Sequence, residues 1–78
     1  MKLSKLLLVE DNAEAAELVI SILEYAGHEV IHKTTGVEGL KAVQNELFDG
    51  ILLDYMLPDI EGLQLCRMIR AISQGKPA

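Results

Sequence analysis

The chain has 78 residues, with seven Lys and Arg against twelve Asp and Glu for a net charge of −5. That length allows one domain or a piece of one, in which only about 60% of the unfolded surface is buried. The acidic balance argues against non-specific binding to nucleic acid or to an anionic membrane surface.

The chain opens Met1-Lys2-Leu3-Ser4-Lys5 and continues into the aliphatic run Leu6-Leu7-Leu8-Val9. The run is too short for the apolar region of a signal peptide, and Glu10-Asp11 stands where small residues would be needed for cleavage. No stretch approaches the roughly 20 apolar residues of a membrane span, and the expected location is the cytoplasm. Leu6 to Val9 suits instead a strand buried on both faces, as in a parallel sheet. Asp11 or Asn12 can cap the helix that follows, and Glu14 sits favourably in its first turn. Leu18, Val19, Ile22, Leu23 and Ala26 recur at helical spacing, and Gly27 suits a left-handed cap.

Glu29-Val30-Ile31-His32 reads as a short, more polar strand at a sheet edge. Thr35-Gly36-Val37-Glu38 matches a capping box, Thr35 being the N-cap and Glu38 the acidic partner. Val37, Leu40, Val43 and Leu47 give the second helix one apolar stripe. Ile51-Leu52-Leu53 reads as a third, doubly buried strand running into Asp54. A loop from Tyr55 to Gly62 leads to a helix carrying Leu65, Cys66, Ile69 and Ile72. Cys66 is the only cysteine, so an internal disulfide and a cysteine-based zinc site are both excluded; on the apolar side of its helix it reads as a small core residue. The three aromatic residues (Tyr25, Phe48 and Tyr55) leave an aliphatic core.

Three strand-helix units in succession imply an α/β fold with parallel strands, right-handed crossovers and strand order 2-1-3. In that order the first and third strands are neighbours, and Glu10, Asp11 and Asp54 meet at the carboxyl edge of the sheet. Converging carboxylates raise one another's pKa values unless a cation lies among them. A hard divalent ion with oxygen ligands answers that need, and Mg²⁺, which uses one or two carboxylates and keeps several waters, suits it best. Taken singly, Glu10-Asp11 also reads as a helix start and Asp54 as a turn residue before Pro58; their joint position at one edge is what those readings leave unexplained. His28 and His32 are expected to lie outside this group, as surface or edge residues.

Leu8-Val9-Glu10-Asp11-Asn12, followed by Ile51 through Gly62 with Asp54, Pro58 and Gly62 at their spacing, resembles the receiver domains of two-component response regulators. The resemblance covers the whole chain, residues 1–78, and implies a three-layer flavodoxin-like fold. It implies that Asp54 accepts a phosphoryl group from a histidine kinase or phosphotransfer protein in intracellular signal transduction. Glu10, Asp11, Asp54 and the backbone carbonyl of Met56 would hold Mg²⁺, and Pro58 and Gly62 would shape the loop carrying that carbonyl. Such a module is a phosphoacceptor rather than an enzyme. Receivers of this family have five βα units, a Ser or Thr after the fourth strand and a Lys after the fifth. Three units are expected here, so residues 1–78 correspond to the N-terminal portion, and Lys76-Pro77-Ala78 resembles the approach to the fourth strand. The third strand is then expected to present an unpaired apolar edge, which predicts self-association.

A second reading is a phosphorylation-incompetent receiver fragment that acts as, or is folded by, a self-association module. A Mg²⁺-dependent aspartyl phosphatase fits less well, because Met56 occupies the place of the second carboxylate such chemistry uses. A nucleotide-binding enzyme fits least, since no glycine-rich phosphate loop follows the first strand.

Overall fold

A computed structural model describes residues 4–54 and 57–73. Its elements run β1 (Lys5–Val9), α1 (Ala13–Tyr25), β2 (Glu29–Lys33), α2 (Gly36–Asn45), β3 (Gly50–Leu53) and α3 (Gly62–Ser73). The three strands form one parallel sheet in the order β2-β1-β3, as the alternation of elements predicts. Because β2 and β3 lie on opposite sides of β1, right-handed crossovers must place α1 on one face and α2 on the other. Leu7 and Val9 of β1 point to the second face, where they join Ala42 of α2 and Leu65 and Ile69 of α3 in the core cluster. Leu8, on the alternate face of β1, is also buried. This two-sided burial is why the central strand is a continuous aliphatic run. No helix among the described residues is long and apolar enough to cross a membrane.

The helix ends follow their predicted chemistry. Asn12 is the N-cap of α1, its Oδ1 accepting from the Ala15 N–H at 2.9 Å, and Gly27 beyond the helix has φ 97°, the left-handed geometry that favours glycine. Thr35 caps α2, its Oγ1 accepting from the Glu38 N–H at 3.2 Å. Glu38 turns its carboxylate to the hydroxyls of Thr34 and Thr35.

The apolar stripes of α1 and α2 differ from the predicted ones. Leu18 and Ile22 are exposed, as is Ala26, whereas Ala16 is buried and Val19, Ile20 and Leu23 are half-buried. Val37 on α2 is exposed, as is Leu47, which lies beyond the helix end at Asn45; Gly39 and Ala42 face the sheet with Leu40 and Val43 beside them, and Gly36 packs against Asp59 and Ile60. The cause is close approach: small residues let these helices sit low on the sheet, so the contact stripe is centred on them. Leu52 is 41% exposed, so β3 is not doubly buried. It lies on the same face as Leu8, where α1 packs towards β2 and leaves the β3 side open. On α3, Leu65 and Ile69 are buried and Cys66 and Ile72 half-buried, as their spacing predicts.

Gly39 marks the tightest of these approaches. A Cβ there would lie 2.8 Å from Cγ2 of Val9, whose side chain is fully buried. In an open helix, Gly→Ala gains about 1 kcal/mol. Here the overpacking dominates, and Gly39→Ala is expected to destabilise the chain by about 1–3 kcal/mol, read as a lowered urea midpoint with an unchanged slope.

Candidate functional site

The β1–β3 ladder fixes the site. Val9 pairs with Leu53, so Glu10 and Asp54 are the first residues beyond the paired strands on adjacent chains. The Asp54 N–H donates to the Val9 carbonyl at 2.8 Å and carries the backbone pairing past the end of β3. Carboxylate oxygens of Glu10, Asp11 and Asp54 come within 4.8 Å of one another, with Glu10 and Asp54 half-buried and Asp11 exposed. The predicted constellation is thus assembled, at the carboxyl edge where open α/β sheets place their sites.

Glu10 is held at several points. Its N–H donates to the Lys33 carbonyl at 3.0 Å, and its Oε2 accepts from the Asn12 N–H at 3.2 Å. Burial is the main influence pushing the Glu10 carboxyl above the usual carboxylate range. Hydrogen bonding to Asp54 and the charges of Asp54 and Asp11 push the same way, against the Asn12 N–H. Three hard oxygen donors at such spacing, one of them reluctant to ionise beside the others, form a donor set that matches a small divalent cation. Pro58 is exposed on the loop after β3, and Gly62 is buried as the first residue of α3. The predicted Met56 carbonyl ligand lies outside the described residues, as do Tyr55 and Lys76-Pro77-Ala78.

Two residues near the site escape the sequence pattern. His32 lies on the outer strand β2 and outside the carboxylate cluster, as expected, but it is half-buried and its Nε2 lies 2.8 Å from the Glu10 carbonyl oxygen. Asp59, in the loop between Asp54 and α3, accepts from the Gly36 N–H at 2.8 Å and from the Val37 N–H at 2.9 Å. It therefore satisfies two of the orphan donors at the start of α2, while Thr35 satisfies the next. A Cβ on Gly36 would come 3.1 Å from Asp59 Oδ1 and from Ile60, so the absence of a side chain at Gly36 is part of this junction. The local signals were present, an acidic residue in a loop and a glycine at a helix start, but their partnership across 23 positions leaves no trace in a local pattern.

The comparisons with known proteins agree with this geometry. The response regulator receiver domain family matches residues 6–77. Response regulator ArlR of Staphylococcus saprophyticus is 40% identical over 68 residues, covering 87% of this chain and 31% of that protein. A CheY-like receiver domain protein from Methanospirillum hungatei superposes with a TM-score of 0.89 at 35% identity, covering 96% of this chain and 60% of that one. The receiver domain of sensor histidine kinase PA1611 from Pseudomonas aeruginosa, solved with a magnesium ion coordinated in its active site cleft, has a TM-score of 0.85 at 30% identity, covering 90% of this chain and 57% of that one. The chain therefore spans about a third of the length of a curated relative such as ArlR and less than two thirds of these receiver structures.

The Asp59 junction has a pH signature. Hydrogen bonds from the Val37 N–H and then the Gly36 N–H hold the Asp59 carboxyl below its ordinary value. A carboxylate depressed in the folded state stabilises above its unfolded pKa, and that contribution is lost as pH falls through the folded pKa. Asp59→Asn is expected to lower the thermal midpoint at neutral pH. The gap from the parent chain should close as the pH is taken down through the acid range, and a gap constant across that range would refute the ionic cap.

Proposed function

The chain belongs to the response regulator receiver domain family, and we propose that it serves as a phosphoacceptor module of two-component signalling with Asp54 as the accepting residue. The observation that carries this reading is the convergence of the Glu10, Asp11 and Asp54 carboxylates within 4.8 Å at the ends of paired parallel strands. Residues 1–78 are read as the N-terminal portion of a receiver, the part that supplies the acidic side of the site. A histidine kinase or phosphotransfer protein is the donor partner, and the cytoplasm is the compartment in which it meets this chain.

The chemistry asked of Asp54 is a substitution at phosphorus. One carboxylate oxygen forms the new O–P bond as the bond from phosphorus to the donor nitrogen breaks, and the donor imidazole leaves as the neutral base after taking up a proton. Little covalent assistance is needed, so position and charge neutralisation carry the rate. Glu10, Asp11 and Asp54 would hold Mg²⁺, with the Met56 carbonyl as the further protein ligand. The bound ion supplies neutralisation of the phosphoryl oxygens and of the carboxylate cluster. The residues of the chain hold Asp54 in line: its N–H is tied to Val9, and Glu10, its neighbour, is tied to β2. Pro58 and Gly62 would shape the loop that carries the Met56 carbonyl. The module changes its own covalent state and turns over no separate substrate, which is why it is read as a signalling acceptor rather than an enzyme.

Self-association through the outer edge of β3 is the second part of the proposal. Among the described residues β3 is an edge strand of the sheet. Beside it lies a groove of about 320 Å³ whose apolar wall includes Phe48, Ile51, Leu53 and Ile69. An apolar groove along an open strand edge favours pairing with another strand, and two-fold pairing of β3 with a second copy would cover both grooves at once.

Two measurements test the reading. Incubation with Mg²⁺ and acetyl phosphate is expected to add the mass of one phosphate in an acid-stable, base-labile linkage, lost in Asp54→Asn. An intact chain that stays unmodified would instead favour a chemically silent fragment. Sedimentation at micromolar concentration is expected to find a dimer, and a compact folded monomer there would overturn pairing through β3.

A further inference from the structure

β2 contributes no carboxylate to the acidic site, yet it holds both the N–H and the carbonyl of Glu10. The paired register of β1 and β2 ends at Val9 and Lys33. One step beyond, the Glu10 N–H still finds the Lys33 carbonyl at 3.0 Å. The Glu10 carbonyl comes next in the ladder, but by then the second chain has left the strand and turned into α2 with Thr35 as its cap. At this point a side chain takes over the role of a backbone donor: His32 Nε2 lies 2.8 Å from the Glu10 oxygen. A carbonyl can only accept, so the ring nitrogen facing it carries the proton. His32 pairs in register with Leu8, which is buried, and is itself half-buried, so its ring is confined beside the strand end.

We propose that His32 is a positioning residue for the acidic site, its Nε2–H fixing the Glu10 peptide so that the Glu10 carboxylate faces Asp11 and Asp54 in the geometry that receives a divalent cation. The inference rests on the phosphoacceptor reading of that site. The physical reason is preorganisation. A carboxylate crowded by two others is repelled away from them before a cation arrives, and the peptide that bears it sits at the frayed end of a ladder. Anchoring both its N–H and its C=O to β2 removes the freedom to swing outwards. Without the donor, part of the binding free energy of the cation is spent on ordering the strand end. His32 touches neither the cation nor the phosphoryl group in this role; it acts through Glu10.

Mg²⁺ affinity, measured by calorimetric titration of the full chain, provides the test, with metal-free thermal unfolding recorded alongside. His32→Ala and His32→Leu remove the donor, Leu keeping apolar bulk in the strand. Both are expected to weaken Mg²⁺ binding roughly five- to tenfold, the loss of one outer-shell hydrogen bond. His32→Gln, which can present an N–H at about the place of Nε2, is expected to bind within about twofold of the parent chain on the same scale. A merely structural role would lower the metal-free midpoint and leave the affinity of the folded protein alone. Parent-like affinity in the Ala and Leu variants overturns the proposal, as does a Gln variant as weak as Ala. Unfolding of both the Ala and Leu variants with Gln folded assigns the bond to fold maintenance and also overturns it. Absence of Mg²⁺ binding in the parent chain is a separate outcome, which removes the phosphoacceptor reading and this inference with it.

Discussion

Everything at the site depends on the register of β1 against β3. Parallel pairing sets Val9 opposite Leu53, and a shift of one residue would turn every side chain of β3 to the other face. Ile51 and Leu53 would then leave the core cluster that Leu7 and Val9 anchor, so burial enforces the register. With the register fixed, the next residue on each strand is acidic, and Glu10 and Asp54 have nowhere to go but towards each other. The hydrophobic core and the acidic cluster are therefore consequences of one alignment, the first on the face of the sheet and the second at its end.

This arrangement also places a cost where the chemistry is. Three carboxylates share a small volume, and the raised Glu10 carboxyl registers the strain of burial and of its acidic neighbours. A site of this kind persists only because stronger forces elsewhere hold it: the aliphatic strand between two helix layers, and backbone hydrogen bonds that run past the strand ends. The same sheet is less covered at its other boundary among the described residues. Among the described residues, β3 borders an apolar groove and carries the exposed Leu52, so the strand that leads into Asp54 also has the less covered flank of the sheet.

How much of this was legible in the sequence depended on range. Strand 2-1-3 order followed from the alternation of aliphatic runs and helical stretches, and the caps from Asn12, Thr35 and Gly27, because each signal is contained within a few residues. The convergence of Glu10, Asp11 and Asp54 followed from topology once the strands were ordered. The helix stripes were misread for a physical reason. Periodicity counts large apolar residues, which pointed to Leu18, Ile22, Val37 and Leu47, yet all four are exposed. The faces that meet the sheet are centred on Ala16, Gly39 and Ala42, residues whose value lies in having little side chain. His32 and Asp59 were missed because each works through a backbone group more than 20 positions away, a relation that exists only after folding.

Those two missed residues make sense together. The chain from His32 to Val37, where β2 turns into α2, contributes no acid to the cluster, but both loops that build the site are hung from it. His32 and Lys33 hold the carbonyl and N–H of Glu10 on the β1 side; Gly36 and Val37 hold the carboxylate of Asp59 on the β3 side. The spacing between Glu10 and Asp54 is thus referenced to a common support as well as to the ladder between β1 and β3. Such a support resists the repulsion within the cluster without adding a carboxylate to it, since it acts through backbone groups and one imidazole N–H. A segment with no residue of its own in the chemistry can therefore set how well that chemistry is prepared.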